Sequence, residues 1–381
     1  MRRFLTLLTL AATLPLAAAV PASRVKEPNA VFVYGMPESG RLQATLFDRA
    51  KQKAIDHIDA YTDLPIAASV SMGSNDAVQF SPATSKVYAL VKNVSEYDGS
   101  TVDETLDYDF AIVEAGFDFK KPVEVFSCDG CSTEQWIVHP TKPVLYLSLP
   151  DEFGDGADQF KNSKLVEITL SPRLRTRVLG RIPPHAALRV TPDGKKVFAF
   201  AQALNSRKPY GALVTIEPST RRRVQTVVNF PTSNVFDLST SPTSADASPD
   251  ALEMAYHMGT VDLLTKKATA IAKTTPYALD NWFIGWSREA DRMLFQLMKK
   301  SADPDERVEV PLLYDRTAKK EWILPLQDAN FLDWSPAQTA ILFSKQGDIG
   351  YFDLTKKVWV FVDEGMDGAW VTMPTKRVPK S

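Results

Sequence analysis

A short motif recurs along this chain and constrains its fold more than any other feature: an apolar run, then Ser, Thr or His, then a turn residue. The copies, called markers below, end at Pro82, Pro140, Pro192, Pro249, Arg288, Pro336 and Pro374. They stand roughly 40 to 60 residues apart, and most are followed by an apolar burst, a further strand-like run and a charged turn. Repeats of about that length built from several strands are typical of β-propellers.

The stretch from Asn330 to Gly365 shows what one repeat contains. "TAILFSK" is apolar, "IGYFDL" alternates between apolar and polar residues, and "VWVFVD" follows a second turn. Together with "NFLDW" these runs predict four antiparallel strands joined by short polar turns. A sheet of that size has two unpaired edges and an uncovered apolar face, so it requires neighbours of the same kind.

The repeats predict an all-β fold, a seven-bladed β-propeller of four-stranded antiparallel blades, with six blades as the alternative. Almost no chain follows the marker at Pro374, so "GAWVTMP" is expected to be the inner strand of a blade begun elsewhere. Strand-like runs from Asn29, Leu42 and Ala54 provide its remaining strands. The chain ends would then close the ring and remove both open edges. Residues 23–381 are expected to form this single domain.

The repeat resembles that of the TolB-type or PD40 propeller family. "DWSPAQTAILFSKQGDIGYFDLTKK" is the best match, and "TPDGKKVFAFA" from Thr191 keeps the Asp-Gly-Lys turn of the family consensus. The resemblance covers most of the chain at the level of the repeat and implies the propeller fold. In that family the propeller engages partner proteins through its channel mouth, which implies a similar docking role here.

The N-terminus has the pattern of a secretory signal peptide. Arg2 and Arg3 precede an apolar run from Phe4 to Leu16, and small residues follow up to Ala22. We expect residues 1–22 to be a signal peptide, cleaved after about Ala19 or Ala22, and the protein to be extracellular or periplasmic. An uncleaved anchor is the alternative, although the apolar run is short for a membrane span. No other segment is long and apolar enough to span a membrane.

The two cysteines, Cys128 and Cys131, form a C-x-x-C pair. In an oxidising compartment a local disulfide is the simplest interpretation. A redox pair or a metal knuckle is the alternative, but the surrounding pattern is not βαβ, and His139 is the only histidine near enough to be a further ligand.

Two long acidic insertions, at 95–119 and 151–164, are expected to be hairpin loops on one face of the disc. Solvated loops are the simpler interpretation. The second loop also has Asp151, Asp155 and Asp158 with glycines between them, which suggests a weak calcium site because Ca²⁺ prefers closely spaced oxygen ligands.

The segments that enter the innermost strands are expected to surround one mouth of the central channel. Polar residues stand six to eight positions before most markers, and Gln135 follows one of them directly, which makes them candidate ligand-binding residues. These are Asn75, Asp76, Glu134, Gln135, His185, Asp280, Asn281, Asp328, Asn330 and Asp367. The alternative is that Asp and Asn simply form turns before strands.

No linear catalytic motif is present, so the catalytic residues, and whether the protein is an enzyme, stay unknown at this stage. We predict a module that binds a protein or a small polar ligand at the channel mouth, with calcium as a possible cofactor. The alternatives are a propeller enzyme, such as a lyase, lactonase or glycoside-active enzyme, and a scaffold subunit of a periplasmic dehydrogenase. A net charge of -2 argues against nucleic acid, and Arg221 to Arg223 are interpreted as a solvated turn. A monomer is expected.

Overall fold

The computed structural model describes most of the chain after residue 27, in segments separated by gaps. These segments are 28–35, 42–60, 78–93, 109–117, 122–128, 135–150, 163–183, 186–203, 210–229, 245–256, 259–265, 267–271, 281–299, 308–365 and 367–373. Within them there is no helix with the length and hydrophobicity that a membrane span requires.

The described residues form seven four-stranded antiparallel sheets, named blades 1 to 7 in chain order. In each blade the strands are given from the centre of the disc outward. Blades 1 to 3 are β28 (Asp367–Val371), β1 (Ala30–Gly35), β2 (Leu42–Asp48) and β3 (Lys53–Ala60); β4 (Val78–Ser81), β5 (Lys86–Asn93), β6 (Asp109–Ala115) and β7 (Val123–Cys128); and β8 (Gln135–Val138), β9 (Val144–Pro150), β10 (Ser163–Thr169) and β11 (Arg175–Ile182).

Blades 4 to 7 follow the same order. They are β12 (Ala187–Val190), β13 (Val197–Ala203), β14 (Tyr210–Glu217) and β15 (Arg222–Asn229); β16 (Ala245–Ala247), β17 (Glu253–Tyr256), β18 (Gly259–Asp262) and β19 (Ala268–Ala270); β20 (Asn281–Trp286), β21 (Arg292–Lys299), β22 (Val308–Asp315) and β23 (Lys320–Ile323); and β24 (Ala329–Trp334), β25 (Ala340–Lys345), β26 (Asp348–Asp353) and β27 (Val358–Glu364).

Blade 1 joins the two ends of the described chain. Strand β28 pairs antiparallel with β1, with Tyr34 opposite Asp367 and Ala30 opposite Val371. Beyond the last pair, the Met373 amide donates to the Asn29 side chain at 2.8 Å. The pairing of the "GAWVTMP" strand with the first strands is as predicted from the sequence, and it leaves neither terminal strand with an open edge towards the other.

The apolar core lies between the blades. Each of the seven hydrophobic clusters is made by residues of two neighbouring blades, and the cluster that contains Val33 and Trp370 of blade 1 also contains Leu342 and Tyr351 of blade 7. Neighbouring innermost strands also contact one another, as β24 does β28 and β28 does β4. The blades therefore stand around a common centre, and every blade is stabilised by the blades beside it.

The recurring Ser, Thr or His of the marker is a buried turn-former. Ser335 is fully buried, and its Oγ accepts hydrogen bonds from the backbone N–H groups of Thr339 and Ala340, both at 3.1 Å. Ser248 and Ser287 hold the corresponding turns of blades 5 and 6 in the same way. In blades 3 to 7 the marker side chain thus satisfies amide groups at the first hairpin, which explains why a short polar residue recurs there.

His139 occupies the marker position of blade 3 and reaches further than serine. Its Nδ1 accepts from the amides of Thr141 and Lys142, both at 3.0 Å, so the ring proton is on Nε2 and is donated to the Gly194 carbonyl of blade 4 at 3.0 Å. Gly194 has φ +67°, and a Cβ there would lie 2.5 Å from His139 Cε1. The glycine is needed both for the turn and for the close approach of the imidazole.

Candidate binding site at the front face

All innermost strands run in the same direction, because each begins a blade and the strands after it alternate. We call the face where these strands begin the front face, and the opposite face, which carries the marker turns, the back face. The predicted loop at 95–119 is too long, because residues 109–115 form strand β6. The segments that link the second and third strands are residues 94–108 in blade 2 and residues 151–162 in blade 3. Their ends therefore lie on the front face, as do the starts of the innermost strands.

Five of the predicted mouth residues lie in the described part of the chain, and all are at the starts of innermost strands. Gln135, Asn281 and Asp367 are the first residues of β8, β20 and β28. Asp328 immediately precedes β24, and Asn330 is the second residue of that strand. The fold thus brings polar residues of blades 1, 3, 6 and 7 to the same face.

The other candidates fall outside the described residues. These are Asn75, Asp76, Glu134, His185 and Asp280 at the mouth, and Asp151, Asp155 and Asp158 of the calcium candidate. Their roles stay predictions, as does the disulfide, since Cys128 ends β7 but Cys131 is not described. No group of three or more His, Cys, Asp or Glu side chains able to hold a metal occurs among the residues that are described.

Asp328 shows that the turn-forming alternative is correct for at least one candidate. Its backbone has φ +53°, its amide donates to the Glu309 carbonyl at 2.9 Å, and its Oδ1 accepts from the Glu309 amide at 3.2 Å. This reciprocal pair fixes the chain as it enters β24. Asn330, two residues later, is exposed and is the better placed of the two to contact a ligand.

Gln79 was not singled out from the sequence, yet it closes the gap between the innermost strands of blades 2 and 3. Its Nε2 donates to the Trp136 carbonyl at 3.0 Å, and its Oε1 accepts from the Val138 amide at 2.9 Å. A side-chain amide thus occupies the edge of β8 much as another strand would. The only sequence signal for this role is a polar residue inside the marker run "VQFSP".

A second polar region lies between blades 5 and 6, towards the back face. A cavity of about 310 Å³ is formed there by side chains of β17, β18, β19 and the end of β22. The residues lining it are Glu253, Thr260, Asp262, Thr265, Lys267, Thr269, Ile271, Tyr314 and Arg316. None of them is near the front-face mouth, and the sequence analysis did not identify them.

Arg316 ties the two walls of this cavity together. Its guanidinium forms a bidentate pair with the Glu253 carboxylate, at 2.9 and 2.7 Å, and donates to the Ala290 carbonyl at 2.9 Å. It also lies 5.4 Å from the ring centroid of Trp286. These contacts hold the guanidinium in one position and neutralise Glu253.

His139 has a perturbed pKa. Burial lowers the pKa of His139 below its ordinary value, although the hydrogen bond to Gly194 acts in the opposite direction. His139 lies in the back-face turn of blade 3 and holds two backbone amides, which agrees with the expectation that it is structural. The sequence prediction for His185 stays untested.

Comparisons with known proteins reveal similarity in fold. No protein-family profile and no curated protein sequence matches the chain. An oligogalacturonate lyase from Vibrio parahaemolyticus matches with a TM-score of 0.51 and 9% identity, covering 89% of this chain and 87% of the lyase. TolB from Acinetobacter baumannii matches with a TM-score of 0.40 and 13% identity, over 87% of this chain and 79% of TolB.

The β-propeller domain of the Trilobed protease from Pyrococcus furiosus also matches, with a TM-score of 0.46 and 9% identity over 72% of this chain and 82% of that domain. The match to the lyase agrees with the β-propeller fold that the repeat pattern implied. At these identities the similarity shows the fold alone, because propellers carry many unrelated functions.

Proposed function

We propose that this protein is a secreted or periplasmic binding module that holds a protein segment or a small polar ligand at the front-face mouth of the propeller. The observation that carries the proposal is the placement of Gln135, Asn281, Asn330 and Asp367 at the starts of innermost strands of four blades. Polar residues at the starts of several innermost strands, all on one face, are suited to recognise a polar ligand from several sides.

The strand order supports this choice of face. The strand ends that are joined by residues 94–108 and 151–162 lie on the front face, the same face as the starts of the innermost strands. The marker turns of the back face are occupied with their own backbone amides, as Ser335 shows. Loops on a rigid scaffold are where binding residues usually lie.

The proposed location follows from the N-terminal pattern of basic, apolar and small residues. A Cys128–Cys131 disulfide belongs to the same proposal, because an oxidising compartment would favour it. Export and the disulfide are both accessible to mass spectrometry of the purified protein. The mature mass reports cleavage after about Ala19 or Ala22, and reduction and alkylation report the thiols.

The test compares one mouth variant with a control of equal charge on the other face. N281R/N330R places two guanidinium groups at the starts of β20 and β24, and T317R/T355R places two in exposed back-face turns. Each immobilised protein is exposed to an extract of the source cells' envelope and medium, and bound molecules are identified by mass spectrometry. We expect the mouth variant to retain at least tenfold less of the ligand or partner than the wild-type protein, and T317R/T355R to retain as much as the wild-type protein.

Thermal melting must show that both variants remain folded. Equal retention by the wild-type protein and the mouth variant would contradict the proposal, since it would place binding elsewhere. Loss with T317R/T355R alone would assign binding to the back face.

A further inference from the structure

Among the described side chains, few apolar groups of blade 5 enter the interface between blades 5 and 6. Blade 6 contributes Phe283, Met293, Phe295 and several more to the cluster, whereas the described part of blade 5 contributes Ala255, with Ile271 packed at its margin. Since apolar burial is the main stabilising term between blades, this interface is unusual in its composition.

Comparison with blades 6 and 7 shows which position of blade 5 is polar where theirs is apolar. In blades 5, 6 and 7 the third strand ends at an aspartate that caps the following turn: Asp262, Asp315 and Asp353. Two residues before that aspartate, blade 6 has Leu313 and blade 7 has Tyr351, both buried in interface clusters. Blade 5 has Thr260 at this position.

The neighbouring positions on this face of blade 5 are polar as well. Glu253 is opposite Asp262 in the β17–β18 pairing, and Thr260 is opposite Thr269 in the β18–β19 pairing. Residues that are directly opposite in antiparallel strands point to the same side of a sheet. One side of the blade therefore presents two carboxylates and two hydroxyls towards blade 6, and the cavity of about 310 Å³ lies there.

Several groups in the cavity have hydrogen-bonding capacity left. Within the described part of the chain, the Tyr314 hydroxyl and the Lys267 ammonium make no hydrogen bond or ion pair. The hydroxyls of Thr260 and Thr269 can each donate and accept. Arg316 forms an ion pair with Glu253, and the lining has one further cation, Lys267, and one further carboxylate, Asp262, so the formal charges of the cavity add up to zero.

The charge balance and the groups present select the class of ligand. An inorganic anion or cation would find as many repelling as attracting charges. A neutral molecule with many hydroxyl groups would find partners that both donate and accept, and Tyr314 with Ile271 supplies apolar surface for its C–H groups. The cavity is at the small end of ligand pockets, which run from about 300 to 1,000 Å³, so it suits one ring rather than a chain.

We propose that the cavity between blades 5 and 6 is a second binding site that takes a single neutral sugar ring. The site is on the opposite face from the mouth and does not depend on the function proposed above. It uses the hydroxyls of Thr260, Thr269 and Tyr314 as the groups that recognise sugar hydroxyls.

The experiment measures binding of defined probes to the full chain. Glucose, galactose, mannose and N-acetylglucosamine are titrated by saturation-transfer NMR, with inorganic phosphate as the anionic comparison. We expect one of the sugars to bind, and phosphate not to bind. Y314F and T260V, which remove one hydroxyl each, should weaken binding by about three- to tenfold, the usual effect of one neutral hydrogen bond.

T355V is the matched control, because Thr355 is an exposed turn residue of blade 7. It should bind the sugar as the wild-type protein does. The proposal is overturned if none of the four sugars binds, or if phosphate binds and the sugars do not. It is also overturned if a sugar binds and only N281R/N330R weakens it, because the sugar would then occupy the mouth.

Discussion

At the scale of single residues, His139 is the clearest case of one side chain serving two blades. Its Nδ1 accepts hydrogen bonds from backbone amides of the turn, as the serine Oγ does at other markers. Its Nε2 also donates to the Gly194 carbonyl of the next blade. The imidazole must be neutral, because Nδ1 accepts two amide hydrogens. The repeat pattern indicated a structural role, but the contact with Gly194 depends on the spatial approach of two turns that are 55 residues apart.

We predict that H139A lowers the free energy of unfolding by about 1 to 3 kcal/mol, because it leaves buried amides and a carbonyl without partners. H139S keeps an acceptor for the turn and should lose less. Urea unfolding of the three proteins at pH 7.5 measures the difference. Equal losses in both variants would show that the turn acceptor is unimportant.

The depressed pKa of His139 also predicts a pH dependence. As the pH falls below the ordinary histidine value of about 6.5, the unfolded chain takes up a proton that the folded chain resists, so stability falls. The contribution is fully present above that value. Between pH 7.5 and 5.5, the wild-type protein should therefore lose more stability than H139S. If the stability of the two proteins fell equally with pH, His139 would not be the source of the pH dependence.

At the scale of elements, the β26–β27 hairpin shows a steric requirement that the sequence only partly reveals. A Cβ on Gly350 would lie 2.4 Å from Trp359 Cζ2 and 2.5 Å from the Val360 carbonyl oxygen. Gly347, in the preceding turn, has φ +91° and open space around it. The first glycine is required by packing and the second by backbone conformation.

G350A should therefore destabilise the protein by about 1 to 3 kcal/mol, the usual cost of overpacking. G347N is the control, because asparagine is the side chain that best tolerates positive φ and nothing stands within 4 Å. Its effect should be below about 1 kcal/mol. Thermal and urea unfolding measure the stability of the two variants. A larger loss of stability in G347N than in G350A would show that backbone conformation at Gly347 matters more than packing at Gly350.

Elements also show why the sequence predicted some features and not others. "AILFSK" and "IGYFDL" are recognisable as β25 and β26 because alternation and turn residues are local signals. "GTVDLL" also predicts a strand, but which blade Thr260 faces depends on register and on the neighbouring sheet. The cavity of blades 5 and 6 and the bridging role of Gln79 are therefore properties of the assembled structure.

At the scale of the whole molecule, Trp370 links the end of the chain to the start. It is almost fully buried in the cluster between blades 7 and 1, and the Arg49 guanidinium lies 4.8 Å from its ring centroid. Thr45 of blade 1 donates a hydrogen bond to Asp363 of blade 7 nearby. The prediction of closure succeeded because "GAWVTMP" has the marker of an innermost strand, and the strand-like runs from Asn29, Leu42 and Ala54 had no innermost strand of their own.

W370A should lower the free energy of unfolding by about 3 to 5 kcal/mol, as loss of a buried tryptophan usually does. W322A is a matched control, because Trp322 lies on the outer strand β23 and is 39% exposed. Its effect should be about 1 kcal/mol or less. Size-exclusion chromatography should show association of W370A but not W322A, since weakened closure exposes strand edges. Similar losses in both proteins would indicate that closure contributes little.

Blade 1 takes its innermost strand from residues 367–371 and its other three from residues 30–60. The strands of blades 2 to 7 lie between these two segments in the chain, so blade 1 can be completed only after all six have been synthesised. Until then the edge of β1 has no partner strand, and the arc of sheets stays unsealed. A chaperone that binds the nascent chain before β28 emerges would meet that open edge.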